Sequence, residues 1–231
     1  MATETLRAFA DDRDTTPSDE EVVRRVLSGE VAWFEVLMRR HNARVYRTVR
    51  AIVREETETE DVMQQAYLSA YTHLEQFEGN ARFSTWLTRI AVNEALHHLR
   101  RNRRLEAVQL QPAGEEMGPR QPIAFQPERS AEAREVAGLV EASLDGMPEI
   151  YRTVFVLREV EGMSTADVAT ALSVSEDVVK TRLRRAKVAL QEALFARIGE
   201  ARSQIFPFFA PRCDRIVESV MSRLREADGL Q

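Results

Sequence analysis

Lys180, Arg182, Arg184, Arg185 and Lys187 fall within eight residues of a chain that is acidic overall, with 32 Lys+Arg against 37 Asp+Glu. At 100° per residue, Val179, Leu183, Ala186 and Leu190 share one narrow apolar face, and Thr181, Arg184, Arg185 and Val188 lie opposite it. Lys180 and Lys187 flank one side and Arg182 the other. Upstream, "STADVATALSVS" predicts a short helix carrying Val168, Ala169 and Leu172, then a tight turn, with Ser175 as cap of the next helix. Short helix, turn and basic helix form a helix-turn-helix pattern: outward side chains read base edges and flanking cations hold phosphates. The alternative is a solvated basic face on an ordinary helix.

A second set lies in "FEGNARFSTWLTRIAVNEALHHLRRNRR", residues 77–104. On a helix, Trp86, Ile90, Asn93, His97, Arg100 and Arg104 fall within about 80° of arc, and Ala91, Val92, Ala95, Leu96 and Leu99 line a different, apolar face. An aromatic ring, an amide and several cations on one face suit unstacked single-stranded nucleic acid, because bases stack on rings and arginines follow the backbone. Trp86 fits a core position equally well, and Phe83 reads as core. His97 and His98 point about 100° apart on a helix and have no His or Cys partner nearby in sequence, so a metal site is not expected.

These stretches must be held by helices. At 231 residues and 44% hydrophobic, with few hairpin turn signals, the composition favours an all-α fold. Ser18 with Glu21 three residues on makes a capping-box spacing before "EVVRRVL", and Gly29 ends that first helix. "AWFEVLMRRHNARVYRTVRAIV" and "TETEDVMQQAYLSAYTHLEQF" follow as helices. "EGNA" breaks the pattern, and a fourth helix is expected from about Ser84 to Arg104. Residues 105–130 hold Pro112, Pro119, Pro122 and Pro127 with no apolar period and read as a flexible linker. Helical patterning resumes near Ser130.

The expected organisation is a mobile tail (1–17), a helical domain (18–104), the linker (105–130), a second helical domain (131–200) and an extension (201–231) carrying an amphipathic helix. In that helix Cys213, Ile216, Val217, Val220, Met221 and Leu224 occupy about 140° of arc. With Phe206, Phe208 and Phe209, this stripe is expected to pack on the preceding domains, since an isolated helix of that length is marginal in water. Cys213, the single cysteine, excludes an intrachain disulfide framework and is expected as a small buried hydrophobe in a cytosolic protein. No run reaches the ~20 apolar residues of a membrane span. No Walker loop, HExxH or defensible Ser-His-Asp set argues for an enzyme.

Taken together, "AWFEVLMRRH", "EDVMQQAYLSAY", "FEGNARFSTWLTRIAVNEALHHLRR", "MPEIYRTVFVLREVEGMS" and "ADVATALSVSEDVVKTRLRRAK" resemble the bacterial extracytoplasmic-function (group IV) sigma factors of the sigma-70 family over about residues 18–104 and 140–198. The resemblance implies a region 2 that binds core RNA polymerase through Asp61, Gln64, Gln65 and Tyr67. It implies capture of a flipped −10 base by the Phe77–Thr85 loop with Asn93; Phe77, Asn80, Trp86, Asn93, His97, Arg100, Arg101 and Arg104 are the −10 candidates. Region 4 would read the −35 element through Lys180, Thr181, Arg182, Arg184, Arg185 and Lys187. Core RNA polymerase and promoter DNA are the implied partners, with an anti-sigma factor as a further candidate; no cofactor, metal or membrane insertion is expected. The chain departs from the family's pattern at Ser175 and Asp177, where Pro and Gly are common, and at Gln64-Gln65, where Gln-Glu is usual. A self-sufficient helix-turn-helix regulator, with residues 1–130 as sensor or dimerisation domain, is the competing reading; it leaves the aromatic-basic face unexplained.

Overall fold

A computed structural model describes residues 17–109, 131–202 and 215–221, and every regular element in them is helical. The chain divides into two compact units, one ending at Leu190 and the other covering residues 191–231.

The first unit begins with α1 (Asp19–Leu27). Ser18 accepts a hydrogen bond from the Glu21 N–H at 3.2 Å, and Asp19, Glu20 and Glu21 place negative charge in the first turn, where the helix dipole favours it. Gly29 follows at φ +103°, a conformation open to glycine at little cost, and turns the chain into α2 (Phe34–Ile52). Next come α3 (Glu56–Thr72) and, after a 3₁₀ turn at Leu74–Gln76 and a loop, α4 (Phe83–Gln109). α2, α3 and α4 pack pairwise. Their shared core holds Leu37, Val45, Val49, Ile52, Val62, Leu74, Phe83, Leu87 and Val92, and Ala66, Ala91 and Ala95 bring the helices close. The apolar face read on α4 is thus the buried one, fully so at Ala91, Val92 and Ala95 and partly at Leu96 and Leu99.

The second half of this unit comprises α5 (Ala131–Asp145), α6 (Glu149–Phe155), a π-helical turn at Val156–Val160, α7 (Thr165–Leu172) and, up to Leu190, the first part of α8 (Glu176–Arg202). Ser164 caps α7, accepting from the Asp167 N–H at 3.0 Å. Ser173 closes α7 in the left-handed region at φ 53°, and Ser175 accepts from the Val178 N–H at 3.4 Å to start α8.

Residues on either side of the 105–130 stretch meet within this unit. Arg152, 2 % exposed, donates to the Ala51 carbonyl at 2.7 Å and to the Met147 carbonyl at 3.0 Å. Burial, with the nearby Arg54 charge, pushes its pKa down to about 10. Arg44 and Arg47 of α2 reach Glu161, Arg50 reaches Asp145, Arg89 of α4 reaches Asp167, and Arg103 reaches Glu149. α4 runs five residues past the Arg104 end expected from sequence.

In the second unit, residues 215–221 are helical. Within that stretch Ile216, Val217, Val220 and Met221, the described part of the apolar stripe, are each 43 % exposed or more. Cys213, Leu224, Phe206, Phe208 and Phe209 lie outside the described residues.

Candidate nucleic-acid interface

α8 presents the arrangement read from its sequence. Val179 and Ala186 are fully buried, Leu183 and Leu190 are half-buried, and Lys180, Thr181, Arg184, Arg185 and Lys187 are exposed, with Arg182 half-buried. The supporting layer is α7, whose Val168, Ala169 and Ala171 are buried. Several cations are already engaged. Lys180 Nζ lies 3.2 Å from Asp177, Lys187 Nζ lies 3.0 Å from Glu159, and Arg185 donates to the Tyr151 hydroxyl at 3.1 Å. Arg184 has no ion-pair or hydrogen-bond partner among the described residues.

The α4 face divides in two. Asn93, His97, Arg100, Arg101 and Arg104 are exposed, at positions that keep returning to one side of the helix. Trp86 and Phe77 are half-buried and join Phe83 in an aromatic cluster: Phe77 meets Phe83 edge-on at 5.4 Å, and Trp86 lies 5.6 Å from each. Their rings therefore brace the loop entering α4 more than they offer open stacking platforms. Phe83, 1 % exposed, is core as expected. Asn80 is exposed in that loop, its amide donating to Glu78 at 2.8 Å.

Two clefts flank this face. In one, of about 210 Å³, Asn93, Leu96 and Arg100 of α4 stand opposite Ala171, Leu172 and Ser173 at the turn after α7. The other, also about 210 Å³, lies between α3 and α4 and brings Asp61 and Gln65 together with His97 and Arg101. Two sets of candidate residues that sequence assigned to different partners thus share one groove.

On α3, Asp61, Gln64 and Gln65 are exposed. Tyr67 is corrected: at 5 % exposed it is a core residue, its hydroxyl donating to the Met38 carbonyl at 3.2 Å and its ring edge-on to Phe34 at 6.3 Å. Desolvation raises its pKa well above the usual phenol value, as a buried neutral hydroxyl requires. The residue that sequence reasoning passed over is Leu68, 63 % exposed and seven positions after Asp61, hence on the same helix face. A leucine at that spacing from the exposed polar set was the available signal.

Asp167 binds across the unit to Arg89. Its carboxyl is held below the ordinary value, first by the Ser164 hydroxyl and then, against some desolvation, by Arg89.

A family model described as Sigma-70 region 2 matches residues 37–105, and one described as Sigma-70, region 4 matches residues 137–190. The RNA polymerase sigma-H factor of Pseudomonas aeruginosa is 31% identical to this chain over 81% of it and 99% of its own length. The ECF RNA polymerase sigma factor SigM of Mycobacterium tuberculosis is 33% identical, over 77% and 85% respectively. The solved structure of CnrH in complex with the cytosolic domain of CnrY aligns with a TM-score of 0.51 and 25% identity, covering 78% of this chain and 99% of that one. The fold of RpoE from Bartonella quintana, solved in complex with the anti-sigma factor NepR, is also similar, with a TM-score of 0.57 at 20% identity over 70% and 96%. Two matched regions in order, on an all-helical frame with an exposed basic face on each half, place this chain in the extracytoplasmic-function branch of the sigma-70 family, which are promoter-recognition factors for transcription initiation and not enzymes.

Proposed function

We propose that α7, its turn and α8 read the −35 element, and that α4 with the 77–85 loop captures a −10 base as the strands part. The observation carrying this reading is that one chain holds two exposed cationic helix faces, each set against a buried stripe of its own helix. On α8, Arg184, Arg185 and Thr181 face bases, and Lys180, Arg182 and Lys187 follow phosphates. On α4, Asn93 offers a donor and an acceptor to an extruded base, and His97, Arg100, Arg101 and Arg104 track the strand. Phe77 and Trp86 contribute by fixing the loop that carries Asn80. Holding an unstacked base costs the duplex a few kcal/mol, an amount that several charge-assisted contacts can supply.

Residues 18–104 and 131–200 serve as the two functional domains, joined by 105–130, which threads through polymerase. Asp61, Gln64 and Gln65, extended by Leu68, dock on core polymerase. The protein works in the cytoplasm, where polymerase and promoters are, and serves a stress or signal regulon. Because CnrH and RpoE were solved bound to CnrY and to the anti-sigma factor NepR, an anti-sigma protein is a fitting partner here as well.

Reconstitution with core polymerase on a genomic promoter library tests the reading. Discrete transcription starts that need both the chain and core polymerase are expected. Promoter binding of equal strength and selectivity without polymerase would instead make the chain a self-sufficient regulator.

A further inference from the structure

We propose that the acidic run Asp11, Asp12 and Asp14 lies over Arg82 at the base-capture loop and competes there with single-stranded DNA. This rests on the reading of α4 and its loop as a strand-binding face.

The anchor is a pair of adjacent residues on α2. Arg40 donates to the Pro17 carbonyl at 2.8 Å and to the Asp19 carboxylate at 3.0 Å. His41 Nε2 lies 2.9 Å from the same carboxylate, and its ring lies 5.4 Å from that of Phe83. The Arg40 and His41 side chains are only 14% and 12% exposed, so this is a packed joint. Pro17, where the described chain begins, and Phe83, the first residue of α4, are thus held by neighbouring side chains of one helix. Arg82 stands one residue before Phe83. Its carbonyl accepts from the Thr85 and Trp86 N–H groups at 2.9 and 3.2 Å, which fixes its backbone beside the aromatic cluster.

Charge supplies the match. Arg82 is the one cation in residues 77–82; it is exposed, and its side chain has no hydrogen bond or ion pair among the described residues. In the same loop the Glu78 carboxylate is engaged by the Asn80 amide at 2.8 Å. A cation at the start of a helix opposes the helix dipole, and a nearby anion offsets that cost. Asp14 and Asp11 stand three and six residues before Pro17, within about 10 and 20 Å of extended chain. Arg13 is the one cation among them. Their charge has the sign of the phosphates that the loop would meet.

Exposed ion pairs are individually weak and screened by salt. Tethering compensates, because a segment on a short linker acts at an effective concentration of about millimolar. An excess of about two- to ninefold of that concentration over the dissociation constant weakens strand binding about three- to tenfold.

The full chain is tested in two ways. In the first, a nitroxide is placed at Ala10→Cys in a Cys213→Ser background, and backbone amide signals are read by NMR without DNA. The Asn80, Ala81 and Arg82 signals are expected to be broadened at low salt and to recover when Asp11→Asn, Asp12→Asn and Asp14→Asn are combined. In the second, a fluorescein-labelled single strand of about 12 nucleotides and mixed sequence is titrated by anisotropy. The triple Asn variant is expected to bind it about three- to tenfold more tightly than the parent. Glu55→Gln, Glu60→Gln and Glu135→Gln together make the same charge change at exposed positions elsewhere, and are expected to gain less than about twofold. With Arg82→Ala added, the gain of the triple Asn variant is expected to fall below about twofold. Loop signals that stay sharp in the labelled parent, equal gains from the two triple variants, or a gain that persists with Arg82→Ala overturns the proposal. No strand binding by any variant removes the reading of α4 and the competition with it, while the loop signals still decide whether the acidic run sits at Arg82.

Discussion

The two basic faces are built differently. On α8 the cations stand exposed opposite a buried apolar stripe, three of them in surface contacts with Asp177, Glu159 and Tyr151, and Val179 and Ala186 anchor the helix from the other side. On α4 the aromatic residues beside the cations are drawn into the core, with Phe77, Phe83 and Trp86 in mutual ring contact. An α8 cation can therefore be removed with little cost to folding, whereas part of the α4 face also holds the loop that shapes it. On the proposed reading, the difference separates reading a duplex, which needs a rigid rod with exposed side chains, from opening one, which needs a braced pocket.

The sharpest way to break this comparison is Trp86→Ala. It is expected to destabilise the fold by about 3 kcal/mol, as truncating a packed aromatic does, in denaturant unfolding. A change below about 0.5 kcal/mol would make Trp86 a free stacking platform after all. Next is Arg184→Ala, expected to cost about 2 kcal/mol of discrimination for a −35 sequence with unfolding unchanged, read by competition binding of the polymerase complex. Arg185→Ala should cost less, because Arg185 already donates to Tyr151. Tyr67→Phe is expected to lose about 1 kcal/mol of stability, the Met38 hydrogen bond, and to leave polymerase affinity as it was. An affinity loss without a stability loss would return Tyr67 to the docking surface.

The smallest effect concerns acid. The folded-state pKa of Asp167 is lowered, so its contribution is fully present above the ordinary carboxylate value and is lost as pH falls through the lower folded one. Both side chains are partly exposed, so less than about 1 kcal/mol is at stake. Asp167→Asn should flatten only that acid limb of a stability–pH profile, and a change near neutral pH would contradict the assignment.

Sequence revealed what local rules govern. The caps at Ser18 and Ser175, the α8 stripe and the burial of Phe83 follow from spacing and hydrogen-bonding chemistry alone. Tyr67 was misread because an amphipathic ring on a helix fits either a core or a surface until its neighbours are known. Trp86 stayed open for the same reason. The Arg152 and Glu161 clusters were invisible because their partners lie 101 and 114 residues away and carry no periodicity. In sequence, a buried charge looks like a solvated one.

Permanganate footprinting of the polymerase complex on a promoter it recognises, with parent, Asn93→Ala and Arg184→Ala compared at equal occupancy, bears most directly on the division of labour between the two faces. The account predicts reactive thymines near −10 with the parent and with Arg184→Ala once bound, and about tenfold less opening with Asn93→Ala, equivalent to about 1.4 kcal/mol. Equal opening by Asn93→Ala and the parent would contradict it.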